Sequence, residues 1–317
     1  MSLGPTPRQT PRLSLVVPTY KAPDQLQALL KSVAAQSGDA ALAEVIVVDD
    51  GTPGFVADEW QGMAGEFPLT VLHMEVNGGR AVSRNAGIRV ARGDVVVFLD
   101  GDMTVEPGFL QAHDAFHTQH EDAVAVGAIR WAPGLPDTPF MRYAGSRGIG
   151  RFGSGRVPYR CFVTGNSSVP RQRLLDTGGF DEGFSAYGGE DLELGYRLHL
   201  AGCEVFYEPA AASLHFGWKG IHGMRESMST YGAGSLPLLL QRHAELVGIL
   251  RLDFLEKPWW DPLSMILRAT LWPVVQTPIF KAVELGESLG YVPSIFFDYL
   301  WWSERTRAYL QARTPQS

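Results

Sequence analysis

The stretch Val95–Asp102, with the sequence VVVFLDGD, is the strongest local signal in the chain. Five consecutive apolar residues followed at once by a carboxylate predict a buried strand over 95–99 that ends in a polar loop. Asp100 and Asp102 offer hard oxygen ligands, and Gly101 between them lets a backbone approach a phosphate closely. Taken alone, Asp-Gly-Asp is also an ordinary polar turn, so its meaning depends on the fold around it.

Short apolar runs alternate with longer amphipathic patterns on both sides of this stretch. Alternation of this kind is typical of βαβ units on a mostly parallel sheet. We therefore predict an α/β, Rossmann-like domain with a central sheet flanked by helices. Its further predicted strands span 13–17, 45–48, 69–74, 124–129, 162–170 and 205–207. Its predicted helices begin at Asp24 as N-cap, span 81–91, and run from Glu190 to Ala201.

The alternation stops near Gly220, and the remainder predicts helices interrupted by prolines. This part holds five of the eight tryptophans, namely Trp259, Trp260, Trp272, Trp301 and Trp302. The predicted organisation is a flexible N-terminal arm over 1–12, an α/β domain over 13–219 and a helical extension over 220–317. The glycine- and proline-rich segment 131–159 is predicted to be one long loop, either folding over a ligand or solvated.

Composition limits the class of protein. The 317 residues are 45% hydrophobic with a formal charge of -7, which predicts a globular chain and no nucleic-acid partner. Two cysteines and no apolar run long enough for a transmembrane span favour a cytoplasmic protein. The C-terminal tryptophans leave three roles open: capping of the core, a homo-oligomer interface, or peripheral contact with the inner face of the membrane.

Polar residues follow three of the four early strands. Tyr20 follows the first strand, Asp49 and Asp50 the second, and Asp100 and Asp102 the fourth. In an open parallel sheet, ligands bind beyond the carboxyl ends of the strands. These side chains suit a nucleoside diphosphate whose charge is neutralised by Mn²⁺ or Mg²⁺.

A second acidic pair, Glu190 and Asp191, opens a later helix. Acidic residues in a first turn are also favoured simply by the helix dipole. A functional carboxylate at this place would have to lie within hydrogen-bond reach of the hydroxyl that it deprotonates.

The order of these motifs resembles the family 2 glycosyltransferases of the GT-A fold. The match runs through VPTY (17–20), VVDDG (47–51), NGG (77–79) with SRNAG (83–87), GD (93–94), LDGD (99–102), TGN (164–166), GGFD (178–181) and GED (189–191). Each motif is modest by itself, but their order makes the resemblance, which spans about residues 12 to 218, specific.

The resemblance implies a role for each matching residue. The nucleotide-base pocket would be formed by Pro18, Tyr20, Asp49 and Asp50, with Asp50 facing a uracil imide. The wall near the nucleotide, phosphates and sugar would be formed by Gly79, Arg80, Arg84, Gly101, Gly165 and Asn166. The metal site would be formed by Asp102 as direct ligand, Asp100 beside the ribose and metal, and His215 as a third ligand. The acidic pair would be Glu190 and Asp191, with Asp191 the base, and Trp218 would stack on an acceptor or donor sugar.

The implied activity is transfer of a hexosyl group from a nucleoside diphosphate sugar, with UDP the preferred nucleotide, to an acceptor hydroxyl with inversion. The acceptor class stays open among saccharides, lipid-linked saccharides, peptides and small metabolites. Two other readings compete with this one: a non-catalytic nucleotide-sugar binding or scaffold protein, and a nucleotidyltransferase.

Overall fold

The computed structural model describes residues 13–36, 42–217 and 219–313. The predicted arm over 1–12 and Trp218 lie outside the described residues. The chain divides into two compact units, described in turn below. The first unit contains residues up to Pro133, Gly148–Glu182 and Glu190–Gly217, and the second contains Gly134–Arg147, Gly183–Gly189 and the residues from 218 on.

The first unit is built on one sheet, which has nine strands within the described ranges. The strands are β1 (Leu13–Thr19), β2 (Leu42–Asp49), β3 (Leu69–His73), β4 (Val95–Leu99), β5 (Met103–Val105), β6 (Val124–Trp131), β7 (Gly155–Val157), β8 (Asn166–Pro170) and β9 (Val205–His215). Their order is β3-β2-β1-β4-β8-β6-β9-β5, with β7 also paired to β9. The predicted parallel arrangement holds for β3, β2, β1 and β4, whereas β8 runs antiparallel to both of its neighbours and makes the sheet mixed.

The helices of both units are α1 (Pro23–Ala34), α2 (Arg80–Val90), α3 (Phe109–Gln119), α4 (Pro139–Ser146), α5 (Arg171–Asp176), α6 (Glu190–Leu200), α7 (Ile221–Thr230), α8 (Leu236–Arg242), α9 (Pro262–Thr270), α10 (Pro273–Ser288) and α11 (Ser294–Arg313). In the first unit, successive strand residues point to opposite faces of the sheet. Leu15 packs with α1 and the start of α3 on one face, while Val16 packs with α2, α5 and α6 on the other. The predicted layered α/β architecture is confirmed.

Three predicted boundaries were wrong for identifiable reasons. Ala22, not Asp24, is the N-cap of α1, and Asp24 lies within the first turn. Segment 131–159 is not one loop, because Thr138 caps α4 and apolar side chains of α4 are buried, and because β7 lies further along the segment. The last strand was predicted to end at Tyr207, but β9 continues to His215. It passes through an irregularity at Pro209, where the β6 register goes from Glu208 directly to Ala212.

The second unit is helical. A π-helical turn over Tyr231–Ser235 joins α7 to α8. A Cβ added to Gly232 would overlap the carbonyl oxygen of Arg305, so α11 packs directly on the backbone of this turn. Among the described residues, no helix combines the length and the apolar character needed to cross a membrane.

Candidate active site

The ends of β1, β2 and β4 bring the first group of candidate residues together. Thr19 pairs with Asp49 at the last position of β1 and β2, which places Tyr20 and Asp50 side by side beyond the sheet. Tyr20 is 41% exposed, and Pro18 is half-buried in the strand. A Cβ on Gly101 would come within 2.7 Å of the Pro18 carbonyl oxygen, so the loop after β4 lies directly against the end of β1.

Both aspartates after β2 are fixed by hydrogen bonds at this edge of the sheet. The Asp50 carboxylate accepts hydrogen bonds from the backbone N–H groups of Gly78 and Gly79, at 2.8 and 3.0 Å. Asp49 is buried and accepts from the Thr52 N–H at 2.9 Å, while its Oδ2 lies 2.8 Å from His73 Nδ1. Each carboxylate has further acceptor positions, so the predicted contact of Asp50 with a base stays a prediction.

Gly79 and Arg80 begin α2 beside Asp50. Gly79 is the N-cap of the helix, and its φ of 86° favours glycine. Arg80 is exposed, and its positive charge helps to lower the pKa of Asp102. The start of α2 and the loop after β4 therefore face the same region.

Asp102 and His215 form a pair that the short strand β5 creates. Met103 of β5 pairs with His215 at the end of β9, and Asp102 Oδ2 lies 3.2 Å from His215 Nε2. Burial raises the pKa of Asp102, but the hydrogen bond and charge of His215 outweigh it, so that the pKa lies below its usual value. The Asp102 carboxylate is therefore ionised at neutral pH. The His215 ring also lies 5.4 Å from the ring of Trp131.

This pair fits a divalent cation as a partial ligand set. Two atoms bound at right angles to one ion at about 2.1 Å lie about 3 Å apart, close to the observed spacing. In the described parts of the chain, no cluster of three or more His, Cys, Asp or Glu could enclose a metal ion. A site of this kind suits Mg²⁺ or Mn²⁺, because such ions keep water and substrate phosphate oxygens as their remaining ligands.

Gly217 keeps the space beside this pair open. A Cβ at this position would overlap Asp102 Oδ2 and lie 2.8 Å from His215 Nε2. Sequence reasoning missed Gly217, and the only signal for it was a glycine two residues after the histidine.

Arg84 connects the two groups of carboxylates. It is 2% exposed, and its Nη2 donates to Asp100 Oδ1 at 2.8 Å. Its Nη1 donates to Glu190 Oε1 at 3.3 Å and lies 3.8 Å from Asp191 Oδ1. Burial lowers the pKa of Arg84, but the three carboxylates outweigh it and raise that pKa, so the guanidinium is always charged. The resemblance places Arg84 in the nucleotide wall, and in this structure its guanidinium is buried against carboxylates of the protein.

Asp191 has the environment of a base. Its oxygens accept from the backbone N–H of Thr164 at 3.1 Å and from the Thr164 hydroxyl at 2.7 Å, and its side chain is 26% exposed. Burial and the neighbouring Glu190 raise its pKa to about 6, against the opposing effect of Arg84 and Thr164. Thr164, a motif residue that was not predicted to have a site role, holds the carboxylate in place.

Gly165 and Asn166 differ from their expected common role. A Cβ on Gly165 would lie 3.3 Å from Asp100 Oδ2, so this glycine borders the site. Asn166 is wholly buried, and its amide group bonds to Ala128, Ala211 and Ser213 in the sheet and to His113 of α3. Asn166, which the resemblance places under a sugar, thus uses its polar atoms inside the protein.

Comparisons with known proteins show which families the chain resembles. Residues 14–171 match the family model described as glycosyl transferase family 2, and residues 152–216 match one described as the N-terminal domain of galactosyltransferase. The chain is 30% identical to validoxylamine A glucosyltransferase of Streptomyces hygroscopicus subsp. limoneus over 63% of this chain and 51% of that protein. It spans between about a quarter and two thirds of the length of the curated relatives that it matches.

Solved structures share the fold. The mannosyltransferase PcManGT from Pyrobaculum calidifontis, in complex with GDP-Man and Mn²⁺, superposes with a TM-score of 0.61 at 19% identity, over 99% of this chain and 90% of that one. Residues 1–349 of S. aureus TarS, in complex with UDP-GlcNAc, give a TM-score of 0.55 at 19% identity, over 95% and 90%. At these identities the likeness establishes the fold.

Proposed function

Because the chain belongs to glycosyl transferase family 2, we propose that it transfers a sugar from a nucleoside diphosphate sugar to an acceptor hydroxyl with inversion at the anomeric carbon. The observation that carries this proposal is the Arg84 bridge. It places Asp100, next to the proposed metal pair, and Asp191, the proposed base, on two sides of one guanidinium. A donor diphosphate and an acceptor hydroxyl therefore have neighbouring sites in the first unit.

The proposed metal site consists of Asp102 and His215, with Asp100 beside it. When bound, Mn²⁺ or Mg²⁺ neutralises negative charge on the departing diphosphate. Mn²⁺ is present in a solved neighbour of this fold, the mannosyltransferase PcManGT. Asp50, Pro18 and Tyr20 form the proposed base pocket.

Asp191 is the proposed general base. It takes the proton of the acceptor hydroxyl as the hydroxyl oxygen bonds to the anomeric carbon and the bond from that carbon to the diphosphate oxygen breaks. Attack from the face opposite the leaving group inverts the configuration. A pKa of about 6 suits this role, because the carboxylate is largely ionised at neutral pH and still has appreciable proton affinity.

The proposed donor is a UDP-sugar, because a carboxylate such as Asp50 accepts the imide N–H of uracil. Guanine also presents an N–H donor. Of the solved neighbours, PcManGT holds GDP-Man and TarS holds UDP-GlcNAc, so both nucleotides are included in the test. The acceptor is proposed to be a sugar-bearing or lipid-linked hydroxyl compound.

The test is release of nucleoside diphosphate from UDP-, GDP- and dTDP-sugars with Mn²⁺ or Mg²⁺. We expect release from one donor, a fall of about a hundredfold or more in Asp191→Asn, and loss of metal-dependent donor affinity in Asp102→Ala. Asp24→Asn and Asp24→Ala are the matched controls, since Asp24 is exposed in the first turn of α1.

The competing functions are distinguished by further assays of the same protein. Release of pyrophosphate from a nucleoside triphosphate and a sugar phosphate would establish nucleotidyl transfer instead. Donor binding without turnover, in the presence of saccharide and lipid-linked acceptors, would favour a non-catalytic binding protein. A product that keeps the donor's anomeric configuration by NMR would contradict the inverting mechanism.

We also propose that the second unit contacts a lipid surface. Trp259, Trp260 and Trp272 are 72%, 65% and 64% exposed, and Leu263, Ile266 and Val274 near them in sequence are exposed as well. We call these six residues the tryptophan surface. Exposed tryptophans and aliphatic side chains of this kind favour the interface of a bilayer, and vesicle flotation tests the contact.

A further inference from the structure

The position of Arg84 is unusual for a residue that lies in a motif near the nucleotide. Only 2% of its side chain is exposed, so the guanidinium is not available to a nucleotide or a phosphate. Its hydrogen bonds go to protein carboxylates, Asp100 and Glu190. Its role must therefore be exerted through those carboxylates.

The two sides of the guanidinium serve different parts of the site. Nη2 faces Asp100, which follows β4, and Nη1 faces Glu190 and Asp191, which begin α6. A guanidinium is planar and rigid. A displacement of Asp100 therefore changes the position of the nitrogen that faces the acidic pair.

The guanidinium is also held from a third direction. Its Cζ lies 5.6 Å from the centre of the Phe180 ring. Asn85, the next residue on α2, accepts from the Phe180 N–H and donates to the Phe180 carbonyl, both at 2.9 Å. The aromatic ring is thus fixed against the arginine, and the group has little freedom to turn away from the carboxylates.

The cluster of Arg84, Asp100, Glu190 and Asp191 holds more carboxylates than cations. One cation serves the three carboxylates Asp100, Glu190 and Asp191. Among the residues that the structure describes, Glu190 Oε2 is buried without a hydrogen-bond partner. The charged groups that face Asp191 are Glu190 on its own helix and Arg84 from α2, and Thr164 is its neutral partner. These two charges act on Asp191 in opposite directions.

We infer that Arg84 is a positioning residue that couples the donor side to the acceptor side of the site: it orients Asp100 and, together with Glu190, sets the proton affinity of Asp191. Glu190 is then a positioning residue as well, and not a second base. The inference rests on the proposed function, since it assigns Asp191 the role of the base.

The test compares Glu190→Gln and Arg84→Lys, with Arg89→Lys as the control on the exposed side of α2. Glutamine keeps the shape of Glu190 and the oxygen that accepts from Arg84, so this variant retains the packing. Removing its charge lowers the pKa of Asp191, and we expect the acidic limb of the pH–rate profile to move down by about one pH unit, with donor affinity unchanged.

Arg84→Lys should change both sides at once. A single ammonium cannot face Asp100 and the acidic pair together, so we expect the acidic limb to move up and the affinity for nucleoside diphosphate with Mn²⁺ to fall about tenfold. If Arg84 and Glu190 only stabilised the fold, both variants would lower the rate at every pH. The acidic limb of the pH–rate profile would then not shift in opposite directions in the two variants.

The outcomes separate this inference from the proposed function. Suppose that the wild type turns over. If neither variant shifts the acidic limb of the pH–rate profile, or if both shift it in the same direction, the inferred role of Arg84 is wrong. If the wild type releases no nucleoside diphosphate, the proposed function fails instead. The coupling is then still tested by ¹³C NMR titration of the Asp191 carboxyl, assigned with Asp191→Asn, which needs no substrate and should show the same opposite shifts.

Discussion

Gly217 leaves room for Asp102 and His215 because it has no side chain. Replacing it with alanine would place a methyl group against Asp102 Oδ2 and His215 Nε2. We expect Gly217→Ala to weaken Mn²⁺-dependent nucleotide binding by about tenfold or more, because both proposed ligand atoms must move. Isothermal titration calorimetry with UDP, with and without Mn²⁺, measures the effect.

Gly150→Ala is the control for this substitution, since its added Cβ would meet nothing nearer than the Tyr207 hydroxyl at 3.5 Å. Metal-dependent affinity should be unchanged in this variant. Equal affinity in wild type and Gly217→Ala would show that Asp102 and His215 do not hold the metal as a pair.

Residue identity was easier to predict than residue environment. The motif order predicted that Asp100, Asp102, His215 and Asp191 belong to the first unit's site, and the structure brings Asp102 to His215 and Asp191 to Arg84. Burial could not be predicted in the same way. Arg84 and Asn166 stand in the motifs too, but their side chains satisfy buried partners, which depends on neighbours far away in the chain.

At the scale of elements, α3 is attached to β8 through two buried histidines. His113 Nδ1 and His117 Nε2 lie 2.8 and 2.7 Å from the Ser168 hydroxyl. Burial lowers the pKa of His113 to about 4, and burial together with His113 lowers that of His117 to about 3, from an ordinary value of 6.5. The folded protein therefore keeps both rings neutral in moderately acidic solution.

This contact makes folding stability depend on pH. The unfolded chain protonates each ring near pH 6.5, so the contribution to stability is complete above that pH and is lost as the pH falls towards 4. Between pH 7.5 and 5, each histidine lowers the free energy of unfolding by about 2 kcal/mol. In urea unfolding, the free energy of unfolding of His117→Gln should fall between pH 7.5 and 5 by about 2 kcal/mol less than that of the wild type.

The exposed His222 provides the comparison for that measurement. Its side chain is 73% exposed, and His222→Gln is the control for loss of a histidine outside this buried contact. An unaltered pH dependence in His117→Gln would mean that the ring is protonated in the folded state and that the buried contact is not formed as described.

Elements with a strong local pattern were predicted well, and elements made by tertiary contacts were not. Val95–Leu99 was predicted at its observed bounds, because five consecutive apolar residues followed by a carboxylate are typical of a buried strand that ends at the carboxylate. The three residues of β5 have no local signal and form a strand because β9 pairs with them. The continuation of β9 past Pro209 depends on an irregular β6 register that a single sequence does not reveal.

At the scale of the whole molecule, the tryptophan surface is the feature for which we propose contact with lipid. We expect the protein to float with lipid vesicles, and a variant with Trp259→Ser and Trp260→Ser to lose most of this binding. Leu200→Ser, a change at a residue that is 65% exposed in α6, is the control. Protein that stays with the lipid-free fraction and forms dimers in light scattering would contradict lipid contact and favour self-association.

The division into two units was predicted only in part. The helical character of the C-terminal part follows from its prolines and its lack of alternation. That α4 and the segment Gly183–Gly189 also belong to the second unit could not be predicted, since both are inserted in the sequence of the first. The roles of catalytic domain and extension stay predictions.

The long sequence separations within the site have a consequence for the order of folding. Asp102 meets His215 across 113 residues, and Arg84 meets Glu190 across 106. By contrast, β1, β2, β3 and β4 pair within the first hundred residues or so of the chain. During synthesis the parallel half of the sheet can form early, whereas contacts at high sequence separation form late. A nascent chain thus carries the elements of the nucleotide pocket well before it can complete the proposed metal pair.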